Sequence, residues 1–251
     1  MYKPQNLWVN QWKVLSFRRM IYLGAGIMIM IAILFPLLLA NIQRREGKVI
    51  SDAVLGLIPA HDVSLLVFIV LYGVIGLLLV RVVKCPLTCL TMIWGYIFLC
   101  LTRAISISLV PLEPPHGIID LKDPFSFLFY HAEVITKDLF FSGHVSTLFL
   151  IALCLPEQRE KAIALIASGL MSILLLIQHV HYTMDILVAP IFSSLFWLGG
   201  RSMARIGFLP DQKIKLIQAS AAFTEAKPIQ THPELEDKER ELVEQQIKSF
   251  Q

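Results

Sequence analysis

The chain has 251 residues, of which 56 % are hydrophobic and only 16 % charged, with a mean hydropathy of +0.67. Soluble domains carry roughly 25 % charged residues, so a water-soluble globule is excluded for the chain as a whole and a membrane protein is expected. The net charge of +3 is small, and there is no basic aromatic patch or Gly-rich phosphate loop, so nucleic acid is not an expected partner.

Residues 1–19 mix Trp8, Trp12 and Phe17 with Lys3, Lys13, Arg18 and Arg19. That blend suits a segment lying in the membrane interface ahead of a span. The first span, 20–40, carries no charge; it is too long for a signal-peptide core and no A-x-A site follows it, so a retained helix is expected. A bilayer core of ~30 Å takes about 20 apolar residues per helix. Further spans are predicted at 64–83, 86–101 (with Pro86 in a tolerant first turn), 137–155, 162–178 and 182–198. The expectation is an all-α, polytopic membrane protein with about six transmembrane helices over 20–205. Gly199, Gly200 and Arg201 are expected to end the last span, and 206–251 to form a soluble, partly helical tail with no chemistry of its own. Cys85, Cys89, Cys100 and Cys154 lie in or beside apolar segments without CxxC or zinc spacing and are expected to be buried free thiols.

Lys and Arg near the span ends divide twelve to six in favour of a cytoplasmic N-terminus. Both termini are then cytoplasmic. On that topology His61, His116, His131, His144, His179 and His181 fall on or near the outer side, and only His232 does not.

Two segments could carry chemistry. In Asp138-Leu-Phe-Phe-Ser-Gly-His144, the apolar run 145–155 gives only about 16 Å of helix, too little for ~30 Å of hydrocarbon. The helix is therefore expected to start near Lys137, with His144 about 10 Å along it, at a depth where polar groups are functional candidates. The alternative is that Ser142 and Gly143 cap a short helix. In His179-Val-His-Tyr-Thr-Met-Asp185, His181 and Asp185 are spaced i,i+4, which predicts a shared helical face. A carboxylate there can fix the imidazole tautomer and raise the basicity of the other ring nitrogen. Arg103, at the outer end of the third span, needs an anion: phosphate oxygens, Glu113 or Asp138 would each serve.

Taken together, Asp138-L-F-F-S-G-His144, His179-x-His181-Y-T-x-Asp185 and Arg103 with a Leu-x-x-Pro stretch downstream resemble the phosphatidic-acid-phosphatase type 2 superfamily. The likeness is greatest to its sphingomyelin-synthase-like branch and extends over roughly 20–205. Ser51-Asp52, Pro59 and Asp62 are a weaker echo. The resemblance implies a six-helix fold with an extracytoplasmic or lumenal active site. It implies that His181 attacks phosphorus and forms a phosphohistidine, oriented by Asp185, while His144 protonates the leaving alkoxide and then deprotonates the acceptor. Arg103, Asp138, Ser142, His179 and Tyr182 are expected to contact phosphate or substrate. No metal or other cofactor is required, since cationic side chains can neutralise the phosphoryl oxygens. Leu175 stands where the phosphatases carry an arginine, which favours the synthase-like branch. Val180 stands where that branch carries an acidic residue linked to the amine headgroup; an aromatic cage from Tyr182, Phe127 or Tyr130 could substitute.

The leading expectation is a lipid phosphotransferase, with a membrane phospholipid as donor and a ceramide- or diacylglycerol-type hydroxyl as acceptor. A lipid phosphatase using water is the alternative. A proton-carrying transporter would spread polar groups over several depths, whereas here they gather at one side; an inactive scaffold is the remaining reading. Activity should fall at acid pH, because one imidazole must be neutral.

Overall fold

In a computed structural model, residues 5–121 and 136–225 are described, with side chains described for 8–121 and 136–208. The described residues contain seven α-helices and no strand: α1 (Gln5–Trp12), α2 (Leu15–Arg44), α3 (Ser64–Lys84), α4 (Pro86–Leu109), α5 (Gly143–Cys154), α6 (Gln158–Ile177) and α7 (Thr183–Glu225). A 3-10 turn, Leu55–Leu57, lies between α2 and α3. The chain divides into two compact units, Met1–Pro210 and Asp211–Gln251; of the second, only the part within α7 is described.

Five helices are long and apolar enough to cross a bilayer: α2, α3, α4, α6 and the Thr183–Phe208 part of α7. Their outward faces carry large apolar side chains such as Tyr22, Ile33, Leu65, Ile166 and Leu187, all exposed. That is the surface lipid requires, and it fits an integral multi-pass membrane protein. The chain alternation puts the C-terminal ends of α2, α4 and α6 and the N-terminal ends of α3, α5 and α7 at one end of the bundle.

The fourth span differs from expectation. No helix begins near Lys137; α5 starts at Gly143 and has only 12 residues. Ser142 caps it, accepting the Val145 N–H at 3.4 Å, and Phe140 just before it takes a φ of 100° that no helix accommodates. The short helix still reaches the far end, because it starts deep. Arg103, six residues before the end of α4 and so about 9 Å below it, donates to the Phe141 carbonyl at 2.7 Å. At the other end, the Thr88 hydroxyl donates to the Cys154 carbonyl at 3.5 Å. The segment 136–142 fills the overhang, and protein groups meet its backbone at both ends: Gln43 Oε1 accepts the Thr136 and Lys137 N–H groups, and Arg103 donates to the Phe141 carbonyl. Non-helical backbone at membrane depth is tolerated on that condition.

α5 is apolar all round because it is buried all round. Val145, Leu148, Ile151 and Ala152 pack against Val67 and Val74 of α3, Met171 and Leu175 of α6 and Ala189 of α7. Leu150 meets Leu99 of α4 and Phe196 of α7 on the other side.

Gly199 and Gly200 do not end α7, as the sequence suggests; the helix runs through them. A Cβ on Gly200 would stand 2.5 Å from the Thr91 carbonyl and 2.7 Å from the Gly95 nitrogen. Gly200 lets α7 and α4 approach backbone to backbone, the use small residues have in membrane helices, while Gly199 faces the Phe98 ring.

Candidate active site

The turn between α6 and α7 is a Schellman motif. His179 sits at its left-handed position (φ 57°), the Val180 N–H donates to the Leu175 carbonyl and the His179 N–H to the Leu176 carbonyl, both at 3.1 Å. His181 therefore lies outside α7, not on its helical face. Its contact with Asp185 arises from capping. Tyr182 is the residue before the helix, Thr183 the first within it and Asp185 the third. From the third position the Asp185 Oδ2 reaches back to the Tyr182 N–H at 3.1 Å, as the acid of a capping box does, and the same oxygen faces His181 Nδ1 at 3.4 Å. Both side chains are buried. A carboxylate only accepts, so the ring nitrogen facing it is the donor of this contact.

A backbone bond joins the segment ahead of α5 to the first turn of α7: the Ser142 N–H donates to the Asp185 carbonyl at 3.1 Å. His144, half-buried at the second position of α5, is thereby set at the same depth as the His181–Asp185 pair.

Arg103 is buried and ion-paired with Asp138, while its other nitrogen holds the Phe141 carbonyl at 2.7 Å. Of the anions the sequence offers, Asp138 takes it; Glu113 pairs with Lys137 at 2.8 Å. The guanidinium also lies against Gly143, where a Cβ would come within 2.5 Å of Nη1 and 2.7 Å of Cζ. Gly143→Ala should therefore lower stability by about 1–3 kcal/mol, the usual cost of overpacking. A guanidinium held on two sides cannot yield. Thermal unfolding in detergent measures this, and an unshifted midpoint would show that the contact relaxes freely.

His179, Tyr182 and Ser142 are in structural contacts. His179 Nδ1 and Nε2 stand 3.0 and 2.9 Å from the carbonyls of His116 and Ile58, which ties two loops to the turn. Tyr182 donates to the Glu113 carbonyl at 2.9 Å and accepts the Ile50 N–H at 3.1 Å. Its ring, 2 % exposed among Leu55, Leu112 and Leu139, offers no open face to a headgroup cation. Burial pushes its phenol up, keeping it a donor. Phe127, Tyr130 and His131 lie outside the described residues, as do Lys122 and His232. Leu175 is fully buried in the core around α5. Cys100 and Cys154 are buried and Cys85 and Cys89 half-buried, all as free thiols. No cluster of three or more metal-ligating side chains occurs among the described residues.

The loops over this end are held by further polar contacts, most of them from residues to which the sequence assigns no role. Lys137 Nζ donates to Glu113 and to the Arg45 carbonyl, and Glu113 also accepts the Gly47 N–H at 2.8 Å. Arg45 donates to the carbonyls of Ile107, Ser108 and Val110 at the end of α4. The buried Gln178 donates to Ser64 Oγ at 2.7 Å. The legible signal was charge concentrated in short loops at the histidine-bearing end.

Two carboxylates of this cap are shifted in one direction. Burial pushes Asp52 up, but hydrogen bonds from Thr183, Leu55 and Val54 outweigh it and hold the carboxyl below its ordinary 3.8. The hydrogen bond from Lys137 holds Glu113 below its ordinary 4.5. A carboxyl depressed on folding contributes stability above its unfolded value and loses it as pH falls through the folded one. The unfolding midpoint should therefore drop as pH is lowered from about 5 to about 3. The slope should flatten in Asp52→Asn combined with Glu113→Gln; an unchanged slope in that double variant would assign the acid sensitivity elsewhere.

A helical multi-pass membrane protein with paired histidines and an aspartate at one end of its bundle is the class that fold and site define. Residues 137–201, from Lys137 through α5, α6 and most of the membrane part of α7, match the family model PAP2 superfamily C-terminal. The match spans both histidine-bearing segments, the one that leads into α5 and the turn ahead of α7. No curated protein and no solved structure matches the chain.

Proposed function

We propose that the protein is a lipid phosphotransferase of the sphingomyelin-synthase-like kind, passing a phospho-headgroup from a membrane phospholipid to a lipid hydroxyl. The observation that carries the reading is the Ser142–Asp185 backbone bond, which ties the His144 segment to the His181–Asp185 pair. In this mechanism His181 Nε2 attacks phosphorus while His144 protonates the departing alkoxide, leaving a phosphohistidine. His144, now neutral, takes the proton from the acceptor hydroxyl as its oxygen displaces His181. Asp185 stabilises the imidazole in the tautomer the attack needs. The site faces the extracytoplasmic or lumenal leaflet, in line with the excess of Lys and Arg at the opposite end.

The acceptor is tested directly. Purified protein in mixed micelles receives phosphatidylcholine or phosphatidylethanolamine labelled in the headgroup, with and without ceramide or diacylglycerol. Label moving to the lipid acceptor is the expected result. Release of water-soluble label at the same rate whether or not acceptor is present would make the enzyme a lipid phosphatase or phospholipase instead. Comparing the lipids of a host cell with and without the chain would name the donor and acceptor.

A further inference from the structure

Asp52 sits in the loop between α2 and α3, far from α7 in sequence. Its Oδ2 accepts the backbone N–H of Thr183 at 2.7 Å and its Oδ1 accepts the Thr183 hydroxyl at 3.0 Å. The same Oδ1 accepts the N–H groups of Val54 and Leu55, so its own loop is folded around the carboxylate. Leu55 anchors that loop in the cluster that buries Tyr182.

Thr183 is the first residue of α7, and first-turn N–H groups have no partner inside the helix. A Ser, Thr, Asp or Asn before the helix usually supplies one. Here that residue is Tyr182, whose hydroxyl is committed to the Glu113 carbonyl and the Ile50 N–H. A carboxylate from another part of the chain does the work, and its charge lies at the positive end of the helix dipole. The turn it grips is the one in which Asp185 reaches back to the Tyr182 N–H and faces His181.

We propose that Asp52 is a positioning residue, gripping the first turn of α7 so that the Asp185 carboxylate stays on His181 Nδ1. Its effect on turnover rests on the proposed function, but the positioning is readable without any substrate.

Full-length protein labelled with 15N-histidine is studied in detergent micelles by long-range 1H–15N correlation. The His181 ring is identified by the loss of its signals in His181→Gln. The wild type should show His181 protonated on Nδ1 near pH 8. In Asp52→Asn the amide NH2, in either orientation, confronts an N–H donor. Its His181 signals should move towards a mixture of tautomers while those of His61 stay in place. Thr183→Val, which removes the hydroxyl bond alone and leaves the fold least disturbed, should move them less but in the same direction. On a lipid donor that turns over, Asp52→Asn should lower kcat about 10- to 100-fold with KM within about twofold, as small misplacements do. Combined with Asp185→Asn, it should add almost nothing to the loss that Asp185→Asn causes alone. His181 signals unmoved in both folded variants, or losses that simply multiply in the double variant, would overturn the proposal. If the wild type transfers no headgroup, the phosphotransfer reading fails while the tautomer spectra still decide the role of Asp52.

Discussion

His181→Ala should abolish headgroup transfer, by about four orders of magnitude or more, while leaving the protein folded. Removing the nucleophile of an acting unit costs about as much as removing the unit, and only binding and electrostatic terms survive. The fold should survive because Asp185 is not orphaned: its Oδ2 still accepts the Tyr182 N–H. His144→Ala should be equally well folded, since alanine is a good helix former at the second position of α5. Its loss should be smaller for some donors. A general acid contributes roughly 10²–10⁴-fold, and a donor with a nitrophenolate leaving group needs no proton. Such a donor should restore a single-turnover burst of nitrophenolate with His144→Ala, whose second half-reaction still lacks its base, and none with His181→Ala. Acid-labile label trapped on the protein from radiolabelled donor should persist in His144→Ala and vanish in His181→Ala. Equal recovery in both variants would exchange or dissolve the assigned roles.

Asp138→Ala should be among the most destabilising single changes at this end of the bundle. It strips the carboxylate from a guanidinium whose side chain is only 6 % exposed, leaving a charge at membrane depth with only the carbonyl and ring of Phe141 against it among the described contacts. Breaking one side of a buried pair costs about 3–5 kcal/mol. For a chain of this size that is a drop of roughly 6–20 °C in the unfolding midpoint. Arg103→Met added to Asp138→Ala should restore part of the loss, because the uncompensated charge is gone. A midpoint unchanged in the single variant would mean that the pair is exchanged for water or lipid phosphate at no cost. Activity should stay low in the repaired double variant, since Arg103 also holds the Phe141 carbonyl just ahead of Gly143 and His144.

The spans were legible because lipid imposes length and composition directly on a helix. Five of the predicted spans are single long helices in the structure. The histidines gathered at one end were legible too, since alternating spans leave no freedom about which ends meet. What was not legible was local backbone geometry. Spacing placed His181 and Asp185 on one helical face, but the chain instead ends α6 in a left-handed turn at His179, a residue type that marks no helix end. Apolar length argued for a helix from Lys137, whereas Ser142 caps one at Gly143 and the membrane depth is made up by irregular backbone held by Gln43 and Arg103. Gly199 and Gly200 resembled a helix stop, and only the neighbouring α4 shows that they are a close crossing.

Composition and spacing alone were enough for an all-helical, polytopic protein with two imidazoles and a carboxylate at one end of its spans. These are one-dimensional constraints, since hydrocarbon thickness sets helix length and alternation sets sidedness. Tertiary structure decided which polar groups are occupied. Arg103 goes to Asp138, Tyr182 and His179 go to backbone carbonyls, and Asp52 goes to the first turn of α7. The reason is that a buried donor or acceptor takes whichever partner the packing brings within about 3 Å, and that partner can be more than a hundred residues away.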